Sequence, residues 1–437
     1  MGMRITVVGT GHVGLVTCAS LAALGHDVVG TDADGEKIAQ LERGVSPFYE
    51  PGLEELLREG MASGRLRFTS DVSEAVPGAE IVFISVGTPP KADGEANLIA
   101  VERVAREVAR HATEGTVVVE KSTVPAGTGG RMQRALSQES PHRLEVACNP
   151  EFLAEGRAIE DSLRPPRILV GAESERAFAA LRRLYAPLIA DGSRLIETDI
   201  QTAELAKYVC NAFLALKISF VNAVARVCEL AGADVVDVAE VMGSDPRIGP
   251  SFLAAGLGYG GSCFPKDLQA FERLVQRLGY DFPILGEIAR INDECVEATL
   301  AKVKDAVWNL EGKRVALLGL AFKPGTDDVR FAPALALARR LLDEGARVVG
   351  YDPRAMGNAK AEVPELEMAT DAYDAAAGAD CAVLCTEWEE FARLDLEKVK
   401  ASLTAPIVID GRNLFDPAAM QAAGMTLYPT GRPPVVA

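Results

Sequence analysis

Short apolar runs alternate with helical patterns in the first third of the 437-residue chain. The runs "RITVVG", "DVVGTD", "AEIVFISV" and "GTVVVEKST" predict buried strands, and "GLVTCASLAALG" after the first run predicts a helix. Strands that alternate with helices form parallel sheets covered on both faces. The pattern therefore predicts a doubly wound α/β unit.

The same rhythm returns from about residue 313, where "KRVALLGLAF", "RVVGYDP", "DCAVLCTEW" and "PIVIDGRN" predict strands and "PALALARRLLDEG" predicts a helix. Between the two regions, apolar residues recur at steps of three or four and predict one long amphipathic helix. These residues are Leu205, Val209, Phe213, Leu216, Phe220, Ala223 and Val227. We expect two doubly wound Rossmann-like domains joined by a central helical domain with one long connecting helix, divided into residues 1–198, 199–305 and 306–437.

Composition narrows the classes of partner. A net charge of −17 argues against nucleic acid or an anionic membrane as the main partner, because both need a basic face. No apolar run approaches the roughly 20 residues that a membrane-spanning helix needs, and the chain does not start like a signal peptide. We expect a cytoplasmic protein whose eight cysteines are reduced. Cys381 and Cys385 have no histidine nearby, so no metal site is expected.

A glycine-rich turn lies between the first predicted strand and helix. Gly9, Gly11 and Gly14 in "GTGHVG" permit a tight turn and close approach of the backbone to a pyrophosphate. Asp32 closes the next predicted strand and can bind a ribose 2′-hydroxyl. Because the same carboxylate would repel a 2′-phosphate, the pattern predicts NAD rather than NADP.

One cysteine stands out in "GYGGSCFPKD". Pro265 fits the first turn of a helix, which places the Cys263 sulfur at a helix N-terminus beside Lys266, and both favour a thiolate. Gly258, Gly260 and Gly261 would let a substrate approach, and Asp267 could face the same space. The other seven cysteines are interpreted as small buried apolar residues; they are Cys18, Cys148, Cys210, Cys228, Cys295, Cys381 and Cys385.

An NAD site together with an activated thiol points to aldehyde oxidation. A simple alcohol dehydrogenase needs no nucleophilic cysteine, whereas oxidation of an aldehyde to an acid can proceed through a thioester. The ordered motifs "GTGHVGL", "VGTPP", "KSTVPAGT", "NPEFLAEG", "ELAKYVCNAF", "DPRIGPSFLAAGLGYGGSCFPKD", "GLAFKPGTDDVR" and "IDGRN" cover almost the whole chain. They resemble the signature set of the UDP-glucose/GDP-mannose dehydrogenase family.

The resemblance implies a four-electron oxidation of a sugar C6 alcohol to a carboxylate, with two NAD molecules used in succession. UDP-glucose is the expected substrate. UDP-N-acetylmannosamine or GDP-mannose remains an alternative within the family, and a catalytically silent nucleotide-sugar-binding regulator is an alternative from another class. In this family the three predicted domains bind NAD, carry the cysteine loop and dimer surface, and bind the UDP-sugar, respectively.

The family pattern also assigns catalytic roles. From the residues alone, Lys207 is a solvated surface lysine, Thr123 a turn hydroxyl and Glu151 a carboxylate at a helix start. By resemblance, Lys207 stabilises the oxyanion at C6 and Asn211 holds the sugar. Thr123 and Glu151 belong to a water network, through which Asp267 handles the first proton. Cys263 is the nucleophile.

Binding residues follow from the same resemblance. The expected NAD contacts are Gly9, Gly11, Val13, Gly14, Asp32, Lys37, Thr88, Thr123, Glu155 and Arg330. The expected substrate contacts are Glu151, Phe152, Leu153, Lys207, Asn211, Arg247, Phe252, Leu253, Tyr259, Gly260, Lys323 and Arg412. Arg247 matches an arginine that reaches the neighbouring subunit, which implies a homodimer through the central domain. His12 and Phe331 depart from the family pattern, which usually has an aromatic and an acidic residue there.

Overall fold

The computed structural model describes residues 2–436. They form two compact units, one comprising the chain up to Cys210 with Gln269–Tyr280, and the other Asn211–Leu268 with the chain from Asp281. The predicted division into three domains stays a prediction. The strands are β1 (Arg4–Val8), β2 (Asp27–Thr31), β3 (Leu66–Thr69), β4 (Ile81–Ile84), β5 (Val117–Glu120), β6 (Glu145–Cys148), β7 (Arg167–Ala172), β8 (Arg194–Thr198), β9 (Arg314–Leu318), β10 (Arg347–Tyr351), β11 (Glu367–Met368), β12 (Cys381–Leu384), β13 (Ile407–Asp410) and β14 (Thr426–Pro429).

Helices connect these strands in both units. They are α1 (His12–Ala23), α2 (Gly35–Leu41), α3 (Leu53–Ala62), α4 (Val72–Ala75), α5 (Ile99–His111), α6 (Thr128–Glu139), α7 (Ala158–Leu163), α8 (Glu175–Leu184), α9 (Ala186–Ala190), α10 (Ile200–Ala231), α11 (Val235–Ser244), α12 (Phe264–Arg277), α13 (Pro283–Val307), α14 (Pro333–Asp343), α15 (Met356–Glu362), α16 (Ala372–Ala376), α17 (Glu389–Ala392), α18 (Leu396–Ser402) and α19 (Pro417–Ala422).

The first unit contains an eight-stranded sheet in the order β3-β2-β1-β4-β5-β6-β7-β8. Alternate residues of a strand face opposite sides of a sheet, so Ile81 and Phe83 of β4 pack in one core cluster while Val82 and Ile84 pack in another. Burial on both faces explains why the central strands are continuous apolar runs. The predicted parallel sheet is confirmed except between β6 and β7, which pair antiparallel.

The second unit repeats the architecture with six parallel strands in the order β11-β10-β9-β12-β13-β14. In β12, Cys381 and Val383 face one core cluster, and Ala382 and Leu384 face the other. The expected fold class, with two doubly wound sheets and a long helix, is therefore confirmed.

Each sheet has one place where the strand order reverses. In the first unit this place is the gap between β1 and β4, and in the second unit it is the gap between β9 and β12. Ligands of open α/β sheets bind outside the carboxyl ends of the strands at such a gap. Each unit therefore has a defined edge at which a ligand site is expected.

The long helix α10 spans 32 residues and is apolar on an exposed face. Phe213, Phe220 and Val227 of the predicted apolar stripe are 60%, 51% and 62% exposed. By length and composition alone the helix could cross a membrane, with a mean hydropathy of 1.5 in its most apolar window, of which 44% is buried. The expectation that no segment reaches this apolar length was therefore wrong, although a buried core helix passes the same test.

Candidate functional site

Two glycines of the turn after β1 lie so close to other backbone atoms that a side chain would not fit at either position. Gly9 has φ +98°, and a Cβ there would lie 2.6 Å from the carbonyl oxygen of Ser85, which follows β4. A Cβ on Gly14 would lie 1.8 Å from the oxygen of Gly9. Gly11 precedes α1 and offers no side-chain cap. The turn therefore presents backbone amides at the start of α1, as a pyrophosphate requires.

Asp32 lies beside this turn. Its Oδ2 accepts hydrogen bonds from the amide of Thr10 at 2.8 Å and the ammonium of Lys37 at 3.0 Å, and its Oδ1 accepts one from the amide of Asp34 at 3.1 Å. Burial opposes ionisation, but these hydrogen bonds prevail and lower the pKa of Asp32 below its ordinary value. The side chain stays 16% exposed. An ionised acceptor at this place fits the ribose hydroxyls of NAD.

His12 stands where the family usually has an aromatic residue, and its ring makes an aromatic stacking contact. Its ring stacks on Phe48 with centroids 4.5 Å apart, and its Nε2 lies 3.0 Å from Oε2 of Glu50. The carboxylate of Glu50 also accepts hydrogen bonds from the amides of Gly156 at 2.7 Å and Ala158 at 2.8 Å. These contacts tie the glycine turn to the segment that follows β6.

The other expected NAD residues are partly assembled at this edge. Thr88 donates a hydrogen bond to the carbonyl of Thr123 at 2.9 Å, which joins the segments after β4 and β5. Glu155 is buried at 8% exposure, and Val13 lies half-buried in α1. Arg330 belongs to the second unit, where its guanidinium holds both oxygens of Asp328. The residues of the first unit fit NAD, which the glycine turn, Asp32 and Thr88 would hold.

A buried ion pair joins β6 to α10. The Lys207 ammonium lies 2.8 Å from Oε1 of Glu151, and the two side chains are 4% and 8% exposed. Burial raises the pKa of Glu151, but the attraction and hydrogen bond of Lys207, together with Lys121 and the amide of Leu153, outweigh it, so the pKa falls below the usual value. The interpretation of Lys207 as a solvated lysine was wrong. The ring of Phe152 lies beside two cations. The Lys207 ammonium is 5.5 Å from the ring centroid, and the Arg167 guanidinium is 4.2 Å from it.

Lys121 is a buried charge that the sequence analysis did not single out. Its ammonium donates a hydrogen bond to Oδ1 of Asn149 at 3.1 Å. Two residues after Asn149 in the chain is Glu151, whose carboxylate accepts a hydrogen bond from the amide of Leu153 at 2.8 Å. Burial lowers the pKa of Lys121 to about 8, partly opposed by the attraction of Glu151. The signal available in the sequence was the lysine in "KSTVP", directly after a buried strand. Two lysines and one carboxylate therefore share this buried region.

The cysteine loop lies in the second unit. Cys263 is half-buried directly before α12, its carbonyl accepts a hydrogen bond from the amide of Asp267 at 2.9 Å, and Ser262 Oγ lies 3.9 Å from its sulfur. The glycines before it bring the loop against the protein itself. A Cβ on Gly260 would lie 2.3 Å from the oxygen of Phe331, and one on Gly261 would lie 2.8 Å from the ring of Phe322.

The other thiols differ from Cys263. Five are buried, and burial raises the pKa of Cys381 and Cys385 to about 12. Cys210 and Cys295 are only half-buried, so their interpretation as buried residues was wrong. Burial nevertheless raises the pKa of Cys295 to about 12. A thiol held at that pKa stays protonated at neutral pH and is a poor nucleophile.

Asp267 is buried and bound on both oxygens. It is 1% exposed, and the amide nitrogen of Asn211 donates to its Oδ2 at 2.6 Å. The ammonium of Lys266 contacts the other oxygen. Lys266 thus forms an ion pair with the adjacent carboxylate, and its expected effect on the Cys263 sulfur stays a prediction. Asn211 lies one helical turn after Lys207 on α10.

Several expected substrate residues meet around the start of α12. The ring of Tyr259 packs edge-on against Phe264 at 5.7 Å, and that of Phe252, in a left-handed backbone conformation with φ +65°, lies 6.3 Å from the same ring. Arg412, after β13, donates to the carbonyls of Cys385 at 2.8 Å and Gly258 at 3.3 Å.

Three further residues complete the expected set in the second unit. Leu253 is buried, and the Lys323 ammonium lies over the ring of Phe322. The side chain of Arg247 is 87% exposed and pairs with Asp245. Phe331, which replaces an acidic residue, is 60% exposed with φ +52°.

Comparison with known proteins connects these sites to one family. Three domains of the UDP-glucose/GDP-mannose dehydrogenase family match in order: the NAD binding domain at residues 3–189, the central domain at 201–294 and the UDP binding domain at 316–417. Two curated relatives are UDP-glucose 6-dehydrogenases. The Pseudomonas aeruginosa protein is 44% identical over 99% of this chain and 98% of its own length. The Rhizobium meliloti protein is 45% identical over 99% and 100%.

A solved structure is similar as well. The UDP-glucose dehydrogenase of the hyperthermophilic archaeon Pyrobaculum islandicum superposes with a TM-score of 0.89 at 39% identity, covering 95% of both chains. The backbone arrangement and the motif order therefore agree with the same family over nearly the whole chain.

Replacing Asp32 with alanine tests the cofactor site. The change removes the carboxylate beside the glycine turn, so NAD binding should weaken by roughly tenfold or more, as expected for a lost charged hydrogen bond of about 1.5–3 kcal/mol. Affinity for NADP should fall less, because the repulsion of its 2′-phosphate is also removed. Titration of protein fluorescence with each cofactor measures both. Unchanged NAD affinity would remove Asp32 from the site, and Asp34→Ala is a neighbouring control.

Proposed function

Because the chain belongs to the UDP-glucose/GDP-mannose dehydrogenase family and is an NAD-dependent dehydrogenase, we propose that it oxidises C6 of UDP-glucose twice and produces UDP-glucuronate. The choice of sugar rests on full-length relatives at 44% and 45% identity that are UDP-glucose 6-dehydrogenases.

One observation carries the four-electron chemistry: Cys263 is a half-buried thiol at the start of the 14-residue helix α12. Amides at a helix start and the positive end of the helix dipole favour the thiolate. An enzyme that stops at the aldehyde has no use for such a group. The position of Cys263 therefore supports a second oxidation through a covalent intermediate.

The proposed reaction consists of two oxidations and a hydrolysis. NAD, when bound, accepts a hydride in each oxidation. The first oxidation converts the C6 alcohol to an aldehyde with loss of the hydroxyl proton, and the Cys263 thiolate then bonds to the carbonyl carbon. Loss of a second hydride turns this thiohemiacetal into a thioester. Water adds to the thioester, the C–S bond breaks, and the carboxylate leaves while the thiol is restored.

The remaining polar residues supply charge and proton transfer in this proposal. We assign stabilisation of the C6 oxyanion to the Lys207 ammonium, a fixed cation held at 2.8 Å from Glu151 in a buried setting. Glu151 and Thr123 would orient the water that attacks the thioester. Asp267, held by Asn211 at 2.6 Å, would handle the first proton.

Basic side chains of the second unit explain how a protein with a net charge of −17 holds an anionic ligand. Lys323 follows β9, and Arg412 follows β13, so both lie at the carboxyl edge of the sheet. Charge-assisted hydrogen bonds to phosphate oxygens are among the strongest polar contacts. We propose that these two residues bind the diphosphate, with Phe252, Leu253, Tyr259 and Gly260 shaping the sugar site.

The state of the cysteines bears on the compartment in which the protein acts. Within residues 2–436, none of the eight cysteines forms a disulfide, which fits a reducing compartment. We propose that the protein acts in the cytoplasm. We also propose that the apolar face of α10 is covered by protein and does not lie in a membrane.

The yield of NADH per sugar tests the proposed reaction. Purified protein with excess NAD and limiting UDP-glucose should release about two NADH per sugar, measured by absorbance, because an alcohol becomes an acid. UDP-N-acetylmannosamine and GDP-mannose are run in parallel. Turnover of either sugar without turnover of UDP-glucose would contradict the proposed specificity. A yield of one would contradict the second oxidation, and no NADH from any sugar would favour the regulator.

Substitution of Cys263 separates binding from chemistry. Cys263→Ala should reduce the rate of acid formation on the order of 10³- to 10⁶-fold, as for loss of a covalent nucleophile, while UDP-glucose binding persists in calorimetry. Cys263→Ser should slow the second oxidation or the hydrolysis, and a covalent or aldehyde-level species should then be detected by mass spectrometry. Cys295→Ser is a matched control at another half-buried thiol and should keep full turnover. Full turnover of Cys263→Ala would exclude the nucleophile.

We also propose that the exposed apolar stripe of α10 forms a homodimer interface. Besides Phe213, Phe220 and Val227, Leu230 is 90% exposed, and Val241 of the following helix α11 is 72% exposed. A contiguous apolar patch on a soluble enzyme marks an interaction surface. A dimer would bury it, and the exposed Arg247 would reach the substrate of the second copy.

A charge on the stripe tests the dimer. Light scattering should give twice the monomer mass for the wild type, and Phe220→Glu should shift the protein towards the monomer because an unpaired charge cannot be buried in an apolar interface. Leu278→Glu is the control, since Leu278 is 73% exposed outside the stripe and its substitution should leave the dimer intact. A wild-type monomer, or a Phe220→Glu dimer of unchanged affinity, would contradict the interface.

A further inference from the structure

A pair of buried carboxyl groups lies beside the Glu151–Lys207 region of the first unit, and the proposed reaction does not use it. Glu120, the last residue of β5, is 0% exposed, and Glu204 of α10 is 2% exposed. Their side chains share a hydrogen bond. Two carboxylates cannot both be ionised in such a place, so one proton is held between them.

The surroundings decide which partner carries the proton. Glu204 Oε2 accepts a hydrogen bond from the amide of Gly127 at 2.5 Å, and its Oε1 accepts one from the amide of Gly129 at 2.6 Å. Within the described residues, neither oxygen of Glu120 has a hydrogen-bond donor. We therefore assign the proton to Glu120 and the negative charge to Glu204. The Glu204 carboxylate then accepts three hydrogen bonds, from the amides of Gly127 and Gly129 and from the O–H of Glu120.

The pair closes the start of helix α6. Gly127 precedes α6 with φ +92° and has no side chain to cap it, so the carboxylate of Glu204 supplies the cap from another helix. A negative charge at a helix N-terminus is favourable. A Cβ on Gly129 would lie 2.4 Å from Cγ2 of Ile200, so α6 and α10 also touch directly there.

The two clamped segments carry residues of the proposed reaction. Glu204 precedes Lys207 by three residues, about one turn of α10, and Glu120 precedes Thr123 by three residues in the connection between β5 and α6. We propose that Glu204, hydrogen-bonded by the protonated Glu120, is a positioning residue that locks α10 to the β5–α6 connection and so holds Lys207 and Thr123 in their reactive places. The expected effect on kcat rests on the proposed function. The clamp, by which we mean the hydrogen bonds of Glu204 with Glu120, Gly127 and Gly129, does not depend on the substrate.

Titration of this pair has a defined direction. Burial raises the pKa of Glu120 well above its ordinary value, and the nearby charge of Glu204 adds to the effect. Among the described residues, the buried thiol of Cys148 also faces the pair; burial raises its pKa, and the charges of Glu120 and Glu204 add to the effect, which Lys121 partly opposes. A raised folded-state pKa means that the stabilisation is complete below the ordinary carboxyl pKa and is lost as the pH rises through the raised value. The clamp should therefore loosen as the pH rises through the raised pKa of Glu120.

Two conservative substitutions test the proposal. Glu204→Gln cannot accept from both glycine amides and Glu120 at once, because half of its head group is a donor. A displacement of about 1 Å between reacting groups can cost roughly 10²-fold in rate, so kcat should fall about that much with little change in NAD affinity.

The second substitution, Glu120→Gln, keeps a side chain that donates a hydrogen bond to Glu204 but cannot ionise. It should keep kcat near pH 7 and extend both activity and thermal stability to higher pH than the wild type.

Amide hydrogen exchange provides a readout that does not depend on the substrate. In Glu204→Gln the amides of Gly127 and Gly129 should exchange faster than in the wild type, and in Glu120→Gln they should stay protected at alkaline pH. Asp395→Asn is the control, since Asp395 is also a carboxylate at a helix start, where it accepts hydrogen bonds from the amides of Glu397 and Lys398 of α18, and it has no role in the reaction. It should change neither kcat nor exchange at the start of α6.

The outcomes separate the two proposals. Wild-type kcat in Glu204→Gln, or an unchanged alkaline limit in Glu120→Gln, would overturn the positioning role. Unchanged exchange at Gly127 and Gly129 in Glu204→Gln would overturn the clamp. Lack of NADH from the wild type with UDP-glucose would count against the proposed substrate alone, and kcat would then be measured with the sugar that is oxidised.

Discussion

Burial of charge at the carboxyl edge of the first sheet is the constraint on which the site depends. Lys207 and Glu151 lie 2.8 Å apart with almost no exposure, and Lys121 adds a second buried cation. Removing one member of a buried pair leaves an uncompensated charge and costs about 3–5 kcal/mol. The elements that carry these side chains are β6, α10 and the segment after β5. They are therefore held in one arrangement by electrostatics as well as by packing.

The two doubly wound units show how one topology serves different ligands. Asp32 and Asp352 occupy the same topological position, each after the strand that neighbours the first strand of its sheet. Asp352 is 1% exposed, and its carboxylate accepts hydrogen bonds from the amides of Leu320 and Ala321 and from the indole of Trp388. Asp32 keeps an exposed edge beside the glycine turn. The fold is shared, and the side chains at the switch point decide what binds.

Sequence reasoning succeeded where structure is local. The alternation of apolar runs predicted both sheets, the spacing of Gly9, Gly11 and Gly14 predicted the turn, and Pro265 predicted a helix that does begin directly after Cys263. It failed where the outcome depended on distant parts of the chain. Lys207 is buried, Cys210 and Cys295 are only half-buried, and β7 runs antiparallel to β6.

By itself, the sequence determined the fold class, the glycine turn, the start of α12 and the membership of a family, because periodicity, backbone conformation and motif order are written in neighbouring residues. Only the tertiary structure decided which ionisable groups lose water and which partner each one receives. Folding brings β5, α6 and α10 together, so burial raises the pKa of the Glu120 carboxyl, while Glu204 receives hydrogen bonds from the amides of Gly127 and Gly129. Protonation depends on solvent exclusion and on charges at short range, and residues far apart in the chain supply both.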